Sequence, residues 1–117
     1  MIFEATQRTP LVEIEADRCV VRGECYPENI SEWADPVMQA LDDGLNQSEG
    51  AFTVDVELYY FNSSSAKFLF DFLESASEGG RKITINWRYR SDDDTMQEAG
   101  EDFEEDLSHC CYNLVVI

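Results

Sequence analysis

Asn62 is followed by three consecutive hydroxyl residues, Ser63, Ser64 and Ser65, and Lys67 lies just beyond them. A serine hydroxyl becomes a phosphoryl acceptor when a kinase reaches it, and the product is an anion that needs donors or positive charge beside it. The local pattern supplies both. Asn62 suits a turn or a helix N-cap. The first amides of a helix have no intrahelical acceptor, and the positive end of its dipole favours an anion such as phosphate. Lys67, one turn in, is near enough to help neutralise a phosphate on Ser63 or Ser64, although an ordinary exposed helical lysine has the same signature. One residue is enough to cap a helix, and here there are four candidates. That excess sets a phosphoacceptor beside the plainer reading of Asn62 to Ser65 as a cap.

Other groupings of reactive residues are weaker. Asp92, Asp93, Asp94, Glu98, Glu101, Asp102, Glu104, Glu105 and Asp106 put nine carboxylates in fifteen residues with no basic residue among them. Magnesium would need oxygen ligands converging on one point, and the offsets match no calcium loop. A solvated helix face is the default, and a docking face for a basic partner, carried by Glu101 and Glu105, is the functional alternative. Cys19, Cys25, Cys110 and Cys111 form no Cys-x-x-Cys pair. Neighbours in His109-Cys110-Cys111 point to opposite faces of an extended chain. Reduced packing cysteines are expected. A Ser–His hydrolase would have only His109 as its base, and the serines lack the glycines of a nucleophile elbow. Glu78-Gly79-Gly80-Arg81 follows a helix instead of opening one, so it is no phosphate-binding loop. No catalytic residue, metal or cofactor is expected.

The elements that must position the serines are legible from periodicity. From Phe52 to Phe61 one register collects Phe52, Val54, Val56, Leu58 and Tyr60, and the other Thr53, Asp55, Glu57, Tyr59 and Phe61. This is a strand. After Asn62 the period changes, and Ser65, Leu69, Phe72, Leu73 and Ala76 share a helical face up to a stop at Gly79-Gly80. The loop between strand and helix, Asn62 to Ser65, is expected to be exposed at one end of a central strand. In open α/β sheets that end is where ligands and modifications act.

Upstream, Leu11 to Ala16 and Arg18 to Cys25 read as a hairpin, with Gly23 marking a bulge or close approach. Ile30, Trp33, Ala34, Val37, Met38, Leu41 and Leu45 share a helical face, but Pro36 conflicts with an unbroken helix. The expected solution is a short turn over 30–34, Asp35 as N-cap, Pro36 at the first helical position and helix to about Asn46. Downstream, Arg81 to Tyr89 alternates as a strand. Asp94 with Gln97 resembles a capping box, and Met96, Ala99, Gly100, Phe103 and Leu107 trace a helical face. Tyr112 to Ile117 is apolar enough for a buried last strand. The order β-β-α-β-α-β-α-β implies a mixed, mostly parallel sheet packed with helices.

At 117 residues the chain makes one domain, 1–117, with a core that needs no staples. The formal net charge is −17, from 25 acidic and 8 basic residues, which repels nucleic acid and anionic membranes. Met1 to Ala5 lacks the basic and apolar regions of a signal peptide, and no apolar run spans a bilayer. A cytoplasmic location is expected.

Several motifs occur together and in order: Thr9-Pro10, Gly23-Glu24-Cys25-Tyr26-Pro27-Glu28-Asn29, Tyr60-Phe61-Asn62-Ser63-Ser64-Ser65-Ala66-Lys67, Asn86-Trp87-Arg88-Tyr89 and Met96-Gln97-Glu98-Ala99-Gly100-Glu101-Asp102-Phe103. Over nearly the whole chain they resemble the SiaC family of bacterial regulatory phosphoproteins, which are similar in fold to STAS domains, the anti-sigma-factor antagonists. The resemblance implies a STAS-like α/β fold and a non-enzymatic switch. It implies phosphorylation by a Ser/Thr kinase of the histidine-kinase ATPase type, reversal by a PP2C-like phosphatase, and a diguanylate cyclase as one output. It places the phosphoacceptor at Ser63, where the family usually has Thr, with Ser64 as second candidate and Asn62, Ser65 and Lys67 in support. Cys25 stands where the family often has Ser. Tyr26, Glu28 and Asn29, with Glu101 and Glu105, are candidate partner-binding residues. The rival readings are a STAS-like small-molecule-binding module and a Ser/His hydrolase.

Overall fold

A computed structural model describes residues 1–47, 50–78, 82–107 and 110–117. Its elements run β1 (Ile2–Phe3), β2 (Leu11–Ile14), β3 (Arg18–Cys25), α1 (Ile30–Gln47), β4 (Phe52–Phe61), α2 (Ser63–Ser77), β5 (Ile83–Tyr89), α3 (Asp94–Asp106) and β6 (Cys111–Val116). The strands form one sheet in sequence order. Pairing is antiparallel from β1 to β3 and parallel from β3 to β6. The mixed, mostly parallel sheet expected from the sequence is therefore present. The element order is longer by β1, because two residues are too short for alternation to register.

Each parallel crossover steps the same way across the sheet, so right-handed connections bring all three helices to one face. Burial follows that geometry. Ile83, Ile85, Trp87 and Tyr89 of β5 are buried beneath the helices, whereas Thr84, Asn86 and Arg88 are only half-buried on the other face. Phe52, Leu58, Leu69, Phe72, Leu73 and Leu41 complete the middle of the core. Each contributes roughly 1.5–3 kcal/mol by leaving water. Trp87 satisfies its one polar atom there by donating from Nε1 to the Met96 carbonyl at 2.9 Å.

Four sequence expectations are corrected. First, α1 is continuous from Ile30, with Pro36 inside it. The missing amide costs about 3 kcal/mol, but Trp33 and Ala34 before it and Val37, Leu41 and Leu45 after it pack on the same core, which carries the helix through. Second, β4 changes face near its end. Gly23 pairs with Leu58 but Glu24 pairs with Tyr60, leaving Tyr59 as the extra residue of a bulge. Tyr60 is thereby half exposed, and Phe61 turns inward against the Trp87 ring at 6.3 Å. Gly23 opposite the bulge has φ +131°, and a Cβ there would lie 3.3 Å from Pro10 Cα. Both the backbone angle and the close approach call for glycine. Third, α3 is capped one residue earlier than expected, by Asp93, whose Oδ1 accepts from Met96 N–H at 3.1 Å. Fourth, β6 is not buried. As the last strand it has no neighbour beyond it, and Cys111, Asn113 and Val116 are exposed.

The expected stop at Gly79-Gly80 lies outside the described residues. Before it, α2 ends with Glu78 N–H donating to Ser75 O.

Candidate phosphoacceptor site

Parallel pairing sets the carboxyl ends of β3 and β4 side by side, with Cys25 opposite Phe61 and the Asn62 N–H donating to Cys25 O at 3.3 Å. From there β4 passes into α2 through Asn62 alone. The expected loop is not a loop: Ser63, Ser64 and Ser65 are the first turn of α2. Asn62 is extended (φ −91°, ψ 177°), its Oδ1 accepts from Ser65 N–H at 3.0 Å, and its carbonyl accepts from Ala66 N–H at 2.9 Å. One side chain thus caps the helix, as the plainer sequence reading held. The amides of Ser63 and Ser64 remain without intrahelical acceptors.

The three hydroxyls diverge in environment. Ser63 and Ser64 are exposed, whereas Ser65 is fully buried. Its Oγ is enclosed near the Cys25 thiol and has no hydrogen-bond partner among the described residues. Burial pushes the Cys25 thiol above its ordinary range, and the Ser65 hydroxyl pulls in the opposite direction. Ser65 thus faces the core, while Ser63 and Ser64 of the same turn face outward. No acidic side chain lies in that turn. An anion added there meets free amides without an adjacent carboxylate on the same turn.

Lys67 is exposed and has no ion pair among the described residues. Together with Ser64 it lines a cleft of about 250 Å³ between α1 and α2, floored by Ile30, Ala34, Met38 and Phe68 and edged by Asp35 and Asp71. Ser63 lies outside that lining. Tyr26, just past β3, sets its ring edge-on to Tyr60 at 5.5 Å, which adds an aromatic pair beside the serines. Glu28 is held by Arg8 at 3.0 Å on the exposed surface, and Asn29 is exposed just before α1. These residues share the end of the sheet to which β3 and β4 point.

Glu101 and Glu105 do not. Both are exposed on α3, about two and three turns beyond its first residue. Tyr60 and Arg8 are neighbours of the site that periodicity missed. The bulge that exposes Tyr60 leaves only Gly23 as a sequence signal, and Arg8 is brought in by the Tyr26 N–H donating to its carbonyl at 2.8 Å.

The other chemistries gain little. His109, the base a hydrolase would need, lies outside the described residues. Among the described residues no three His, Cys, Asp or Glu side chains are grouped to hold a metal ion. The four cysteines are free thiols; Cys19 and Cys25 are buried and Cys111 is exposed, so packing does not describe all four. No helix among the described residues is long and apolar enough to cross a membrane.

Comparison with known proteins is consistent across the full length. The model of the SiaC family regulatory phosphoprotein matches residues 3–117. An uncharacterized protein of Pseudomonas aeruginosa (strain UCBPP-PA14) is 33% identical over 108 residues, covering 88% of this chain and 86% of its own. The crystal structure of apo-SiaC from Pseudomonas aeruginosa superposes with a TM-score of 0.78 at 30% identity, over 99% of this chain and 96% of that one. A chain in the crystal structure of the diguanylate cyclase SiaD in complex with its activator SiaC, also from Pseudomonas aeruginosa, gives 0.83 at 29% identity, over 99% and 97%. With a family match over nearly every residue and a fold shared end to end, the chain belongs to the SiaC family of regulatory phosphoproteins.

Proposed function

We propose that this chain is a non-enzymatic switch whose unmodified form binds and activates a diguanylate cyclase, and that phosphorylation of Ser63 ends that binding. A Ser/Thr kinase of the histidine-kinase ATPase type would add the phosphate, and a PP2C-like phosphatase would remove it. The observation that carries the reading is the first turn of α2: an exposed hydroxyl at Ser63, directly after the Asn62 cap, in a chain similar throughout to a cyclase activator. Phosphate there brings about −1.5 to −2 charges. The free amides and helix dipole accommodate it, so the fold is retained. A partner surface that meets a small neutral hydroxyl instead faces a hydrated anion that is costly to desolvate.

Ser64 is the alternative acceptor, because it shares the α1–α2 cleft with Lys67. Incubation with the cognate kinase and ATP, followed by peptide mass spectrometry, separates the two. Wild type should gain one phosphate and Ser63→Ala none. Phosphate retained in Ser63→Ala and lost in Ser64→Ala moves the site by one residue. The carboxylates of α3, including Glu101 and Glu105, are proposed as a secondary docking face for basic partner residues.

A further inference from the structure

The face of the sheet that the helices leave uncovered differs in chemistry from the rest of the molecule. Four of the eight basic residues lie on it, as Arg18, Arg22, Arg88 and Arg90, in a chain whose net charge is −17. The strand register puts Arg22 of β3 and Arg88 of β5 on either side of Glu57 in β4, in one row across the sheet. Glu57 is already engaged, since one of its oxygens accepts from the Tyr59 hydroxyl. Asp55 is more fully engaged: Arg18 donates to one oxygen at 2.7 Å and Asn86 to the other at 2.8 Å, and Asn113 extends the chain to β6 by donating to Asn86 at 3.0 Å.

Arg22 and Arg88 therefore have no ion pair among the described residues, and Arg88 Nε is enclosed without a hydrogen-bond partner. Both border a shallow cavity of about 200 Å³, in whose lining Glu13 is the only carboxylate without a partner among the described residues. Beside it, Arg90 lies over the Tyr59 ring at 4.5 Å.

We propose that this open face is an interaction surface for a protein partner that presents an acidic segment, with Arg22 and Arg88 taking its carboxylates. Arginine and tyrosine are the side chains that dominate binding hot spots, and the planar guanidinium fork matches a carboxylate bidentately. Carboxylates elsewhere on the surface repel such a segment, and the cluster of arginines makes this face the complementary one for several carboxylates at once. This surface is separate from the serines and does not depend on their phosphorylation.

The test uses the whole chain and a fluorescein-labelled oligoglutamate peptide, read by fluorescence anisotropy at low salt, with amide shifts mapped by NMR. Overall repulsion predicts no binding, whereas the open face predicts saturable binding with shifts on β3, β4 and β5. Arg22→Gln should weaken it, and Arg22→Gln with Arg88→Gln should weaken it on the order of tenfold or more. Arg8→Gln should not change it. Arg22→Gln alters an exposed side chain, so it reports even where the double variant loses its fold. The proposal is overturned by absence of saturable binding, by unchanged affinity in Arg22→Gln, or by shifts at the Ser63 end. Displacement by millimolar inorganic phosphate, which would mean a small-anion site, overturns it too. So does sedimentation showing that a second copy of the chain occupies the face.

Discussion

Removing the Asn62 side chain should expose how much of the site rests on one hydrogen bond. In Asn62→Ala the backbone bonds to Cys25 and Ala66 survive, and only the 3.0 Å bond from Ser65 N–H to Oδ1 is lost. Ser65 is 0% exposed, so water cannot readily take the place of the lost acceptor. An N-cap of this kind is worth about 1 kcal/mol, and a buried unpaired donor about 1–3 kcal/mol. A loss of about 1–2 kcal/mol is expected. With a slope of about 2 kcal/mol per molar urea, the unfolding midpoint should fall by about 0.5–1 M without a change in slope. Asn62→Asp keeps the acceptor and adds a negative charge at the positive end of the helix, worth about 0.3–1 kcal/mol. It should equal or exceed wild type in stability, while making the first turn a poorer place for a phosphate. Urea unfolding of the three proteins, with amide exchange at Ser65, checks the order. An Asn62→Ala midpoint equal to wild type would mean that the cap does not hold the serine turn.

Further expectations concern the core and its ionisable groups. Gly100→Ala should destabilise the protein by about 1–3 kcal/mol in urea unfolding, because overpacking outweighs a gain of about 1 kcal/mol in helix propensity. The added methyl would sit 2.5 Å from Trp87 Cδ1 and 2.8 Å from Leu114 Cδ2. The Cys19 thiol is pushed up from 9.0 to about 12, by burial first and the Asp55 carboxylate second. Its proton is held more tightly in the folded state, so its contribution is complete below pH 9 and is lost as pH rises toward 12. Between about pH 8 and about pH 10 wild type should therefore lose about 1.4 kcal/mol more than Cys19→Ala, and equal losses would contradict the assignment.

What the sequence conveyed depended on the physical range of each signal. Strands buried on alternate residues, such as Ile83–Tyr89, and the α2 face of Leu69, Phe72 and Leu73 were visible because burial there repeats with the local period. Pro36 misled because packing on both sides of it outweighed a local propensity. Gly23 marked the irregularity between β3 and β4, but that Tyr59 is the extra residue was hidden, because register belongs to a pair of strands and not to either sequence. Apolar residues from Tyr112 to Ile117 suggested burial, but a strand's place in the sheet order is decided by topology. At the site, the Asn62 cap and exposed Ser63 and Ser64 were legible, whereas the diversion of Ser65 toward Cys25 needed the β3–β4 pairing to be seen.

The central claim is tested most directly by measuring binding of this chain to the diguanylate cyclase of its own cell, before and after stoichiometric phosphorylation by the cognate kinase. Unmodified protein should bind the cyclase, and the phosphorylated protein should not. Ser63→Ala taken through the same kinase treatment should bind as the unmodified protein does. Equal binding by fully phosphorylated and unmodified wild type would contradict the account.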